Sequence, residues 1–177
     1  ATAMATTASS QAPAKGLSNG GSPVAILDSG LLPSLDLGAW VSGRFDATSP
    51  GEPLGDDNGH GSQMALIATG AVQPSGVIQP AETGVPVLAI KAFDAAGVTS
   101  TFTIIEALRY TRDQGARVAS LSWGSNEDSE FLRTAVTDAM ASGLVVVAAA
   151  GNEPTGQPVY PAAYPGVLAI GALQPDG

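Results

Sequence analysis

Cysteine is absent from the 177 residues, so disulfides and zinc–thiolate centres are ruled out and the redox compartment is left open. Basic residues are scarce: 7 Lys and Arg stand against 16 Asp and Glu, a formal net charge of −9. With no basic cluster to track a phosphate backbone, nucleic acid and anionic membranes are disfavoured as partners. No apolar run reaches the ~18 residues of a membrane-spanning helix. No basic stretch followed by an apolar one marks a signal peptide, which a mature chain would have lost. Neither G-x-G-x-x-G nor a P-loop is present, which argues against nucleotide binding. Histidine is almost missing as well. His60 is the only one, so general-base chemistry near neutral pH runs most simply through it.

What is present reads as a globular domain: 44% of residues are apolar and only 13% charged, enough for a sizeable core. Residues 1–22, rich in Ala, Thr, Ser and Gly without periodicity, read as a flexible lead-in to one domain over 23–177. Val24 to Leu27 is a continuous apolar run of the kind buried on both faces, and it stops at Asp28-Ser29-Gly30. Residues 31 to 59, punctuated by Pro33, Pro50 and Pro53, read as loop. A helix opens at His60, carries an apolar run from Met64 to Ala68, and has Gly70 at its end. The glycines beside His60 let other backbone approach.

Beyond the Val72–Gly84 connection, a second buried strand spans Val85 to Ala92. Thr103-x-x-Glu106 is a capping-box pattern, opening a helix to about Gln114 whose inner face carries Ile104, Ile105 and Leu108. Strands then follow at Val118–Ser122, Leu144–Ala150 and Val167–Leu173, with a helix striped by Phe131, Leu132, Ala135, Val136, Ala139 and Met140 after the first. Apolar strands alternating with amphipathic helices predict an α/β fold, a doubly wound and mostly parallel sheet with helices on both faces. Ligands bind beyond the carboxyl ends of such strands. Asp28, Ser122-Trp123-Gly124 and Gly151-Asn152 all end strands, and His60 opens a helix, so all four features should face one crevice.

Each has a bland reading: a turn aspartate, a core tryptophan, a turn asparagine. Together they suggest a carboxylate that orients an imidazole, with an amide N–H aimed at a developing oxyanion. The motifs resemble those of the subtilisin-family serine proteases, the subtilases. Val24-Ala25-Ile26-Leu27-Asp28-Ser29-Gly30 is similar to the family's aspartate motif, and Asn58-Gly59-His60-Gly61-Ser62-Gln63-Met64-Ala65 to its histidine motif. Ser120 to Gly124 resembles its substrate-cleft strand, and Val145 to Glu153 the segment with its oxyanion asparagine. Tyr160 to Pro165 and Val167 to Ala172 resemble the strand that comes next.

The resemblance implies a subtilisin-like fold, with Asp28 and His60 as triad members and Asn152 as oxyanion donor. It implies that Ser122, Trp123 and Gly124 line a specificity pocket opposite Ala149, Ala150 and Gly151. It implies that Gly97, Val98 and Thr99 form an edge on which an extended polypeptide substrate pairs. The family's nucleophile, a serine in a Gly-Thr-Ser motif after the asparagine, has no counterpart before Gly177. The expectation is therefore a peptidase domain truncated before its serine segment and inactive by itself, whose partners include a pro-peptide or that missing segment.

Gln63 and Leu66 stand where many relatives carry histidine and glycine. The Val72–Gly84 connection lacks the Asn/Asp-rich character of the family's calcium loop, and Asp36 reads as a solvated carboxylate. No metal or other cofactor is expected in this chain, with calcium left open for the full-length protein. The acidic, cysteine-free composition suits a secreted or cell-surface location. Two other readings stand beside this one. A non-catalytic peptide-binding module would have no need of Asp28, His60 and Asn152 together. Ile26 to Gly30 also resembles the Asp-Ser/Thr-Gly signature of aspartic proteases, but no second copy exists and that fold is all-β.

Overall fold

The computed structural model describes residues 21–72, 84–152 and 156–172. The lead-in over 1–20, most of the Val72–Gly84 connection, Glu153 and Leu173 lie outside these residues. Six strands form one parallel sheet: β1 (Val24–Asp28), β2 (Val41–Asp46), β3 (Val87–Lys91), β4 (Val118–Leu121), β5 (Val145–Ala149) and β6 (Leu168–Ile170), in the order β2-β3-β1-β4-β5-β6. The helices are α1 (His60–Ala68), α2 (Thr101–Asp113) and α3 (Glu130–Ala141).

The strand side chains alternate between two layers, as the period of two requires. On one face Ile26, Val87 and Ala89 pack with Leu31, Leu37, Leu54 and Ala65 of α1. On the other, Ala25, Leu27, Leu88 and Ile90 meet Ile104, Ala107 and Leu108 of α2 and Leu132, Val136 and Ala139 of α3. Leu27 and Ile90 are fully buried, each worth about 1.5–3 kcal/mol of apolar transfer. Helices thus cover both faces, as the apolar runs predict.

Three expectations need correction. Residues 31–59 are not all loop: β2 pairs with β3 at the sheet's edge. Its pattern, half-exposed Val41 and Phe45 around Ser42, Gly43 and Arg44, gives little apolar signal. Phe45 instead stacks on Tyr110 of α2, ring centroids 4.2 Å apart. The cap of α2 is Ser100, whose hydroxyl accepts from the Thr103 N–H, so the helix starts earlier than the Thr103–Glu106 pattern suggests. Phe131, placed on the apolar stripe of α3, is 76% exposed.

The strand order brings the fold's reversal point to β1 and β4. From β1 the chain runs outward to β2, returns through β3, then crosses β1 to reach β4 and continues to β5 and β6. Crevices of parallel sheets open at this reversal, beyond the strands' carboxyl ends.

Candidate active site

Asp28 is the last residue of β1 and is buried, and His60 is the first residue of α1. They meet: His60 Nδ1 lies 2.8 Å from Asp28 Oδ1, with the imidazole side chain 44% exposed and the carboxylate 6%. A carboxylate only accepts, so Nδ1 donates and the neutral ring keeps Nε2 free as an acceptor. The Ser29 N–H also donates to Asp28 Oδ1, at 2.8 Å.

Glycine allows this approach. Gly59 precedes α1 with φ +85°, in the left-handed region. A Cβ on Gly61 would stand 2.4 Å from the Gly30 carbonyl oxygen, so only glycine lets the helix start rest against the turn after Asp28. The Trp123 indole closes the same corner from β4's end, donating from Nε1 to the Leu27 carbonyl at 3.1 Å and meeting Phe93 edge-on.

Sequence reasoning missed the group beneath this pair. Asp56 lies buried in the loop before α1. Its Oδ1 accepts from the Ser29 hydroxyl and the Gly59 N–H, both at 2.8 Å. Its Oδ2 accepts from the Ser62 N–H at 2.9 Å and from the Ser62 hydroxyl at 2.6 Å. Burial alone pushes this carboxyl's pKa up. The Ser62 and Ser29 hydroxyls, with the N–H groups of Ser62 and Gly59, outweigh it and hold the pKa below the ordinary 3.8. Lys91, also missed and also buried, ends β3. Its Nζ donates to the Ser29 carbonyl at 3.0 Å and lies 3.9 Å from Asp57 Oδ2. No simple motif marks either residue; a carboxylate a few positions before a helix start is the one hint at Asp56.

The other predicted residues lie along the same edge of the sheet. Ser122 and Trp123 follow β4 half-buried, and Gly124 is exposed. Ala149 ends β5, with Ala150, Gly151 and Asn152 exposed after it. Leu121 is registered against Ala148, which sets these two segments side by side. Between them stands Val159, unforeseen from the sequence: a Cβ on Gly124 would come within 2.4 Å of its Cγ1, and one on Gly151 within 3.0 Å of its Cγ2. β5, which Asn152 follows by three residues, lies two places from β1, about 9–10 Å across the sheet. Gly97, Val98 and Thr99 form part of a tight turn in which the Val98 N–H donates to Asp94 Oδ1 and its carbonyl accepts from the Asp94 N–H. Val98 is thereby engaged within the turn.

No group of three or more His, Cys, Asp or Glu side chains stands together as a metal site among the described residues. Asp36 Oδ1 accepts from the Gly38 N–H as an ordinary turn carboxylate. No helix among them is long and apolar enough to cross a membrane.

Comparison with known proteins identifies the family of the chain. A model of the "Subtilase family" matches residues 19–177. Subtilisin Savinase of Lederbergia lenta is 37% identical over 166 residues, covering 92% of this chain and 60% of that protein. An alkaline protease of Shouchella clausii is also 37% identical over 166 residues, 92% of this chain and 43% of that protein. Thermitase of Thermoactinomyces vulgaris is 34% identical over 151 residues, 85% of this chain and 54% of that protein. The chain thus spans 43–60% of the length of these relatives.

Proposed function

The chain belongs to the subtilase family, and we propose that it carries the general-base half of a serine endopeptidase that cleaves polypeptides through an acyl-enzyme. The observation that supports this most is the 2.8 Å bond from His60 to a buried Asp28, which leaves the other ring nitrogen free at an exposed edge. His60 Nε2 takes the proton of a serine hydroxyl as that serine attacks the scissile carbonyl, then returns it to the leaving amine. Asp28 holds the ring by its Nδ1–H and stabilises the imidazolium. Asn152 donates to the oxyanion. Ser122, Trp123 and Gly124 face Ala149, Ala150 and Gly151 across the pocket, with Val159 as its floor. Gly97 and Thr99, flanking the engaged Val98, supply the edge for a substrate strand.

The nucleophile belongs to a Gly-Thr-Ser segment outside these 177 residues, so the chain alone is inactive toward peptides. A segment carrying that serine, or a pro-peptide, is the partner expected at the open end of the cleft. A relative named "Minor extracellular protease Epr" is 34% identical over 158 residues, which supports an extracellular location for this protein too.

Labelling the full-length protein from its source with a fluorophosphonate tests the reading. Label on a serine beyond Gly177, lost in His60→Ala, is the expected result. An unlabelled full-length protein that folds and still binds peptide would replace it with the non-catalytic module.

A further inference from the structure

We infer that Asp56 is a positioning residue for the base: it captures the Ser29 hydroxyl proton and so leaves Asp28 free to accept from His60. This rests on the reading of Asp28 and His60 as a catalytic pair.

The argument is a count of protons. Ser29 Oγ accepts from the Gly61 N–H at 2.9 Å and has one proton to give. Two carboxylates compete for it, Asp56 Oδ1 at 2.8 Å and Asp28 Oδ1 at 3.3 Å. The shorter, better bond wins, and Asp56 takes the proton. Asp28 Oδ1 is then left with the Ser29 N–H and His60 Nδ1. Were the hydroxyl to turn, that oxygen would gain a third donor and become a poorer acceptor for the imidazolium. Asp56 is thus more than a cap for α1. Its remaining donors, Gly59 and Ser62, belong to the helix start that carries His60, so one carboxylate fixes both the hydroxyl and the helix.

Among the described residues, Lys91 and Asp46 are the charges that end β3 and β2, the strands on this side of β1. Lys91 from β3 donates to the Ser29 carbonyl and faces Asp57 of the loop. Asp46, at the end of β2, spends its Oδ1 on the Thr48 and Ser49 amides and the Thr48 hydroxyl. Neither replaces Asp56 at the hydroxyl.

In Asp56→Asn, an amide whose oxygen stays with Ser62 turns its NH2 toward Ser29, which then directs its proton to Asp28. The full-length protein carrying this change should react with fluorophosphonate about tenfold more slowly at neutral pH, the scale of one weakened hydrogen bond. The acid limb of its rate–pH profile should move to lower pH. The downfield proton resonance of His60 Nδ1–H, visible with or without activity, should move upfield. Adding Ser29→Ala removes the misdirected hydroxyl and should restore most of the rate and the resonance. A structural role alone predicts no such rescue, so a double variant as impaired as Asp56→Asn overturns the inference. An unmoved acid limb and resonance in folded Asp56→Asn overturn it as well. If that variant does not fold, neutron diffraction of the wild-type protein decides: the Ser29 deuteron on the line to Asp56 supports the inference, and on the line to Asp28 refutes it. A wild-type protein that shows the resonance but takes no label would instead count against the proposed activity and leave the proton arrangement standing.

Discussion

The two walls of the proposed cleft hold their candidate functional groups by different means. At the β1 wall, Asp28 and His60 sit above Asp56, Ser29, Ser62 and Lys91, and every one of these side chains has a partner on another segment. At the β5 wall, Ala149 to Asn152 present backbone and one exposed amide, and the neighbouring strand β6 leaves Leu168 and Ile170 53% and 57% exposed. The difference follows from the chemistry. A buried carboxylate and the imidazole it orients must be held in one geometry, so they need a second layer of hydrogen bonds. In the proposed function this wall offers N–H donors to a substrate, and that needs the shape of its backbone, which glycine and alanine provide.

That contrast can be broken one wall at a time. At the β1 wall, Asp28→Asn in the full-length protein should lower kcat by about 10⁴-fold while the fold persists, the scale known for triad aspartates of serine proteases, this family included. At the β5 wall, Asn152→Ala should cost about 10²–10³ in kcat with little change in KM, a magnitude measured at this family's oxyanion asparagine. Equal losses at the two sites would erase the distinction between them. Gly61→Ala tests the contact between helix and turn. Its Cβ meets the Gly30 backbone, so urea unfolding should show a loss of about 1–3 kcal/mol, against a near-neutral Gly171→Ala, where a Cβ would meet open space at an exposed position.

The smallest effect concerns acid. Because the Asp56 carboxyl is held below 3.8 in the fold, its stabilisation is present above the unfolded pKa and lost as pH falls through the lower folded one. Wild-type stability should therefore decline below about pH 4, and Asp56→Asn should show a shallower decline in melting temperature there.

Much of the frame was legible because buried strands declare themselves. Ala25–Leu27 and Val87–Ile90 are uninterrupted apolar runs with no solvent face, and glycines at 70, 115 and 143 mark helix ends with positive φ. β2 hid because an edge strand is half wet: Ser42 and Arg44 point outward, and the Phe45 ring finds its partner on a helix 65 residues later in Tyr110. The pairing of Asp28 with His60 followed from strand-end placement and family resemblance. Asp56 did not. A loop carboxylate between Gly55 and Asp57 looks solvated, and only the fold shows four donors converging on it. Val159 was hidden for a similar reason, since two absent side chains, at Gly124 and Gly151, define its place.

The pH dependence of fluorophosphonate labelling in the full-length protein tests the central claim most directly, because it reads the base and not the affinity for a substrate. With His60 as the base, labelling of a serine beyond Gly177 falls steadily as pH drops from 8 to 4, and His60→Ala is unreactive throughout. A labelling rate that is flat across that range, or that survives the loss of His60, would contradict the account.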